Sequence, residues 1–383
     1  MTMSSTVVLG CGLVGSAIVK DLALLEGHNV TAVDISPSNL DALPRHERIS
    51  TRKADVTQEG AVARLVEDAD LVVCAVPGFM GYDTLRRIIE AGKPVVDISF
   101  FPEDALQLDD LARSMGVTAV VDCGVAPGLC NIQAGWVQER MDQVESYLCY
   151  VGGLPTVRVQ PFEYRAVFSP IDVIEEYTRP ARYVEHGQLV TRPALTDIEP
   201  IDLPGVGTLE AFNTDGLRSL IHTLDAPFKK EKTLRYPGHA ALMRTFRDTG
   251  LFSEEAIATG SGNVRPIDVT SRLLFDAWKM GDEDRDLTVM RVVMEGVEDS
   301  HRVRYTFDLL DQFDEPTGIH SMARTTGYTC TIVSALVADG QFQRPGINPP
   351  EFLGSQAGIY DAVLAGYARR NIHISTERDV LSR

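Results

Sequence analysis

Gly10, Gly12 and Gly15 form a Gly-x-Gly-x-x-Gly turn between the apolar run Val7-Val8-Leu9 and a helical pattern from Val14 to Leu25. A second apolar run, His28 to Val33, follows, and Asp34 closes it nineteen residues beyond Gly15. Glycine spacing alone is a weak signal. Strand, turn, helix, strand and acidic residue in this order predict a dinucleotide-binding βαβ unit. The first glycine permits the tight turn, and the second lets backbone approach a pyrophosphate. The third brings the helix close to the sheet, so the amides that begin it, around Leu13 and Val14, face the anion. Asp34 is placed to accept hydrogen bonds from ribose hydroxyls and to repel a 2′-phosphate. Ile35, Ser36 and Pro37 supply no cation to receive that phosphate, so NAD is expected rather than NADP.

Alternation continues to residue 123. Strands are expected at Ile49 to Lys53, Leu71 to Val76, Pro94 to Ile98 and Val117 to Val121, with helices between them. Near-continuous Val and Ala runs mean burial on both faces, hence an α/β, Rossmann-type doubly wound parallel sheet. Asp55, after the third strand, is placed near an adenine. Val76 and Pro77, ending the fourth, suit the nicotinamide-side ribose, although Pro77-Gly78 reads equally as a plain turn. After Gly128 the texture changes. Runs at Tyr147 to Val151, Tyr164 to Phe168, Arg182 to Val190, Leu287 to Glu295 and Val303 to Leu310 read as strands, joined by turns such as Gly152-Gly153. They predict a second, α+β domain with a mostly antiparallel sheet. A long helix is expected over Met322 to Ala338, returning with Pro350 to Ala368 to the first domain. The expected divisions are 1–123, 124–321 and 322–383.

A net charge of −18 argues against nucleic acid or an anionic membrane surface as partner. No run approaches the ~18 apolar residues of a membrane span. Val8-Leu9-Gly10-Cys11 resembles a lipoprotein cleavage site, but no basic residue precedes it and the apolar stretch is short, so a cytoplasmic enzyme is expected. The six cysteines show no paired metal-ligand spacing and read as buried free thiols; Cys123 and Cys130 flank a Gly-rich turn but have no histidine nearby in sequence. Lys229-Lys230-Glu231-Lys232 reads as a solvated turn. An antiparallel sheet with an open face suggests a homo-oligomer.

Several segments together carry a family resemblance: Pro77-Gly78-Phe79, Val96-Asp97-Ile98-Ser99-Phe100, Asp122-Cys123-Gly124-Val125-Ala126-Pro127-Gly128 and Tyr150-Val151-Gly152-Gly153-Leu154-Pro155. The run Glu175 to Arg182, Thr233-Leu234-Arg235-Tyr236-Pro237-Gly238-His239 and Arg324-Thr325-Thr326-Gly327 extend it over nearly the whole chain. The chain resembles the saccharopine dehydrogenase-like superfamily, and within it the lysine 6-dehydrogenases most. Saccharopine-handling relatives tend to carry an acidic residue where this chain has Ala126. The resemblance implies NAD-dependent oxidation of the ε-amino carbon of L-lysine, a small amino-acid substrate, to 2-aminoadipate semialdehyde and ammonia. A related opine-type dehydrogenase and a non-catalytic dinucleotide-binding protein are the alternatives.

That chemistry sets what the residues must do. Hydride leaves carbon only if the amine lone pair is free, and neutralising an amine of pKa near 10.4 at pH 7 costs roughly 4.6 kcal/mol. Desolvation or a nearby base must offset part of this. Asp122, at the carboxyl end of the sixth strand, is placed to accept the proton or to hold an ammonium. It reads equally as a turn cap bonded to the amides of Gly124 or Val125. His239 is a candidate base or water activator, or else a structural donor. Arg235 and Arg179 are candidates for the α-carboxylate, against an ion-pair reading. Tyr177 and Thr178 are candidate polar walls, and Tyr177 is equally a core residue. Phe100, with Phe79 and Phe101, follows a strand end and forms a dry wall or plain packing. No metal is expected.

Overall fold

The computed structural model describes residues 4–25, 27–166, 170–260, 262–281 and 283–382. The chain divides into two compact units. One runs to Glu139 and resumes over Ala323–Ile372; the other spans Arg140–Met322 and resumes from His373.

The elements of the first part are β1 (Ser4–Leu9), α1 (Leu13–Leu24), β2 (His28–Asp34), α2 (Pro37–Asp41), β3 (Ile49–Lys53), α3 (Ala61–Val66), β4 (Leu71–Cys74), α4 (Gly78–Glu90), β5 (Val95–Asp97), α5 (Asp109–Ser114), β6 (Thr118–Val120) and α6 (Leu129–Gln138). The middle part holds β7 (Gln143–Pro155), α7 (Pro170–Thr178), β8 (Ala181–Glu185), β9 (Gln188–Arg192), β10 (Glu199–Leu203), β11 (Gly207–Asn213), α8 (Leu220–Thr223), β12 (Phe228–Arg235), α9 (His239–Asp248), β13 (Ile257–Thr259), β14 (Gly262–Val264), α10 (Pro266–Trp278), β15 (Asp286–Glu298) and β16 (His301–Gln312). The last part is α11 (Ser321–Ala338), β17 (Gly346–Asn348), α12 (Pro350–Gly354), α13 (Ile359–Ala368) and β18 (Ile374–Ser382).

In the first unit the strands form one sheet in the order β17-β6-β5-β4-β1-β2-β3, every described neighbour parallel. Val8, Ala32, Val72, Val73 and Val96 are fully buried, as strands covered by helices on both faces must be. Strand order reverses between β1 and β4, and the carboxyl ends at that switch point are where such sheets bind ligands.

The second unit has a separate sheet in the order β10-β11-β12-β7-β15-β16-β18, with β8 bridging β12 and β9. Among its described pairings only β12 with β7 is parallel, so it is mixed and mostly antiparallel, an α+β arrangement.

Four details differ from the sequence reading. The basic run Lys229 to Lys232 is no solvated turn: it lies within β12, with Lys229, Glu231 and Lys232 buried. Lys229 Nζ donates to the carbonyls of Ile221 and Leu224, and Lys232 Nζ to Glu199, so the buried ammonium groups are satisfied. Arg182 to Val190 is a hairpin rather than one strand, because His186 and Gly187 both take positive φ (51° and 73°) and turn the chain. Tyr164 to Ala166 are not in a strand, and residues 167 and 168 lie outside the described residues. Segment 129–138 forms α6 in the first unit, and the tail divides, its helices belonging to the first unit and β18 pairing with β16 in the second.

Candidate functional site

Gly12 caps α1 with no side chain bonded to the helix amides and no acidic residue in the first turn, so the N–H groups there are open to an anion. The three glycines have different causes. Gly10 holds φ of 95°, and a Cβ on it would overlap the Ala75 carbonyl; a Cβ on Gly15 would overlap the Gly10 carbonyl oxygen. The fold itself requires both. At Gly12 φ is −69°, and a Cβ would meet nothing within 4 Å. The fold therefore does not explain Gly12, whereas a phosphate group lying against the loop backbone does. On this ground the residues fit a dinucleotide.

Asp34 is held by backbone: Oδ2 accepts from Cys11 N and Oδ1 from Ser36 N, both at 2.7 Å, and Asn39 Nδ2 donates to Oδ2 at 3.3 Å. A carboxylate has lone pairs beyond these for ribose hydroxyls. Sequence reading missed Asn39, five residues on, and Lys53. Lys53 is exposed and is the register partner of Asp34 across β2 and β3, so a lysine does stand at this end of the sheet. Asp55 caps its own turn, accepting from Thr57 Oγ1 at 2.6 Å and Thr57 N at 2.9 Å, bonds that hold its carboxyl below the usual range. Val76 is buried beside the switch point and Pro77 caps α4, whose second residue, Phe79, is 76% exposed. Leu13 is exposed and Val14 half-buried at the start of α1. Cys11 is no nucleophile: burial and the Asp34 charge push its thiol up to about 12. All six cysteines are buried and unbridged.

Asp122 follows β6 with φ of 52° and is 6% exposed. The Gly124 amide donates to the Pro127 carbonyl at 3.0 Å, which leaves the Val125 amide as the candidate for a turn-capping role of Asp122. Phe100, just beyond β5, is half-buried.

The second unit gathers Tyr177, Arg235 and His239 into one buried cluster around Trp278 and Tyr164. Arg235 is 1% exposed; its Nη2 donates to Glu176 Oε2 at 2.6 Å, Nη1 to the Leu234 carbonyl at 2.9 Å and Nε to Tyr177 Oη at 3.3 Å. Its guanidinium lies 4.7 Å from the Tyr164 ring centroid, within cation–π range. Tyr177 is fully buried, so both its core packing and its hydroxyl are accounted for here. Glu176 is the partner that sequence reading missed, although it sits beside Tyr177 in the distinctive run. Thr178 Oγ1 donates back to the Ile174 carbonyl, and Arg179 pairs with Glu175 one turn earlier on α7.

His239 does not fit the role of base. It is 1% exposed, its Nδ1 donates to the Phe162 carbonyl at 2.6 Å, and its Nε2 accepts from Tyr177 Oη at 2.8 Å. A carbonyl only accepts, so the network assigns the proton to Nδ1. Both nitrogens are engaged and no lone pair is left for a substrate. Burial, with the Arg235 charge, pushes its pKa down to about 3. The folded state thus refuses a proton that the unfolded chain accepts below the ordinary value of 6.5. Stability therefore falls as pH drops from about 6.5 towards about 3. His239→Gln is expected to lose less stability than the parent between about pH 6.5 and 4.5, by about 2–3 kcal/mol. Urea unfolding of both proteins at the two pH values measures this.

Among the described residues no group of three or more His, Cys, Asp or Glu side chains is arranged for a metal, and no helix is long and apolar enough to cross a membrane.

Fold and loop together define a dinucleotide-binding protein. The saccharopine dehydrogenase NADP binding domain matches residues 6–120, and the saccharopine dehydrogenase C-terminal domain matches residues 124–372. The chain belongs to the saccharopine dehydrogenase family. It is 23% identical over 428 residues to the mitochondrial alpha-aminoadipic semialdehyde synthase of Mus musculus, which covers 91% of this chain and 45% of that protein. The match to the Rattus norvegicus synthase covers 48% of it, so this chain spans about half the length of these relatives. It is also 22% identical over 418 residues to saccharopine dehydrogenase [NADP(+), L-glutamate-forming] of Saccharomyces cerevisiae, covering 90% of this chain and 93% of that one. The solved apo saccharopine dehydrogenase (L-Glu forming) of Saccharomyces cerevisiae shares the fold, with a TM-score of 0.80 at 20% identity, covering 98% of this chain and 100% of that one.

Proposed function

We propose that this chain is a dehydrogenase that uses NAD to oxidise the ε-amino carbon of L-lysine, giving 2-aminoadipate 6-semialdehyde and ammonia. Nicotinamide, when bound, supplies the hydride acceptor. The chain's own task is the proton: Asp122, at the carboxyl end of the sheet, takes it from the substrate ammonium so that the amine lone pair is free. Loss of hydride from the carbon that bears the neutral amine leaves a protonated imine. Water adds to its carbon, and the C–N bond then breaks to release the aldehyde and ammonium, that is, ammonia and one proton.

The observation that carries lysine over a more anionic substrate is the pairing of the motif arginines of the second unit. Arg179 is bonded to Glu175, Arg182 to Asp215 and Arg235 to Glu176. A substrate with three carboxylates needs more cationic donors than this arrangement offers; a substrate with one needs few.

A second reading, oxidation of saccharopine with NADP, is favoured by the NADP binding domain match and by Lys53 beside Asp34. The deciding experiment is an amino-acid panel with both cofactors. NADH is expected with L-lysine, at a rate rising towards alkaline pH as the amine, of pKa near 10.4, loses its proton. Turnover of saccharopine with NADP and none of lysine overturns the proposal. Asp34→Ser is expected to shift the NAD/NADP preference at least tenfold towards NADP, about 1.4 kcal/mol, because the carboxylate that repels the 2′-phosphate is gone. An unchanged ratio of kcat/KM values means that Asp34 does not select the cofactor.

A further inference from the structure

Asp97 ends β5 and is 0% exposed, in a strand adjacent to the one that leads into Asp122. The Cys123 amide donates to the Asp97 carbonyl at 2.9 Å, which fixes the chain beside Asp122 against the end of β5. The Asp97 side chain receives Ser99 N on Oδ1 at 2.8 Å and Ser99 Oγ on Oδ2 at 3.3 Å. Ser99 is itself locked, because α4 lies so close at Gly81 that a side chain there would meet Ser99 Cβ at 2.6 Å.

The groups that face Asp97 are the Cys74 thiol from β4, Asp122 and the Cys123 thiol from the segment after β6, and the Cys330 thiol from α11. None of them is a cation. A buried carboxylate beside a second carboxylate, with thiols and a serine around it and no cation among these described groups, is costly to ionise. Burial, with the Asp122 charge adding to it, pushes the Asp97 carboxyl up to about 7.

We propose that Asp97 and Asp122 share one proton, that Asp97 carries it, and that Asp97 is thereby the positioning residue that keeps the pair's single negative charge on Asp122. The idea rests on the reading of Asp122 as the proton acceptor for the substrate amine. A neutral Asp97 lets Asp122 stay anionic without a like charge beside it. When Asp97 ionises, the second charge makes Asp122 a stronger base and holds an ammonium more tightly. The pair therefore tunes proton acceptance near neutrality.

Two readouts need neither substrate nor cofactor. In the infrared spectrum of the full chain, the parent-minus-Asp97→Asn difference is expected to show the C=O stretch of a buried un-ionised carboxyl at about pH 6, lost as pH rises past about 8; taking the difference removes the band of buried Glu231, whose carboxyl is pushed up to about 8. In an Asp122→Asn background the same difference band titrates at lower pH. The native Asp97 holds a proton that the unfolded chain releases, so its contribution to stability is present at low pH and lost as pH rises through about 7. The Tm of the parent should accordingly fall relative to that of Asp97→Asn between about pH 5 and pH 8. A difference spectrum without the band, or an Asp97 titration that Asp122→Asn leaves unmoved, overturns the proposal. Asp97→Asn should also flatten the neutral limb of the pH–kcat/KM profile. A chain with no lysine turnover at all, but with the infrared band and its shift intact, would instead defeat the substrate reading and leave the shared proton standing.

Discussion

Gly12→Val is expected to abolish dinucleotide binding while leaving the protein folded. The new side chain enters open space on an extended backbone that suits a β-branched residue, so unfolding free energy should change by no more than about 0.5 kcal/mol. The same methyl groups occupy the place where phosphate oxygens would meet the loop amides. Binding should weaken at least about 100-fold, some 2.7 kcal/mol, because those donors lose their close approach. Gly15→Ala makes the opposite pattern: its Cβ collides with the Gly10 carbonyl, so stability should drop by about 1–3 kcal/mol before any ligand is considered. Calorimetric titration with NAD and NADP, beside thermal unfolding, separates the two. Wild-type affinity in Gly12→Val would show that the loop does not hold phosphate.

Arg235→Ala is expected to cost about 3–5 kcal/mol of stability, because it strands Glu176 without its cation and leaves Tyr177 short of a donor. Burial already pushes the Glu176 carboxyl up, with Arg235 working against that push, so removing the guanidinium invites protonation. Arg235→Met with Glu176→Gln should be less destabilised than the sum of the single variants, the signature of a pair rather than two independent contacts. Chemical unfolding of all four proteins measures the cycle. If Arg235 also meets the substrate carboxylate, the KM for lysine in the folded fraction of Arg235→Lys rises while the Kd for NAD does not. A stability loss under about 1 kcal/mol in Arg235→Ala would show that the buried pair is not what holds this region.

The first unit was largely legible because its signals are local. A glycine at a turn, a strand of Val and Ala, and an acid at a strand end each act through neighbours in sequence, so Gly10, Gly15 and Asp34 could be placed without a fold. What escaped were groups whose meaning comes from another strand. Lys53 stands beside Asp34 only because β3 pairs with β2, and the chain around Asp122 is bonded to the Asp97 end of β5 only because β5 pairs with β6. In the second unit local reading misled. Lys229 to Lys232 carry the composition of a surface turn, yet their ammonium groups reach carbonyls and carboxylates of neighbouring segments, and nothing in four residues encodes that. His239 looked catalytic as a residue type. Its burial under Tyr164, Tyr177 and Trp278, drawn from three distant stretches, is what makes it structural.

The final strand has a topological consequence. Because β18 closes the sheet of one unit after the chain has finished building the other, neither body is a continuous stretch of polypeptide. A single protease cut cannot release either intact, and expressing one lobe requires splicing distant segments. Trimming β18 would strip β16 of one of its two neighbours and uncover a row of backbone donors and acceptors on its outer edge, inviting intermolecular strand addition.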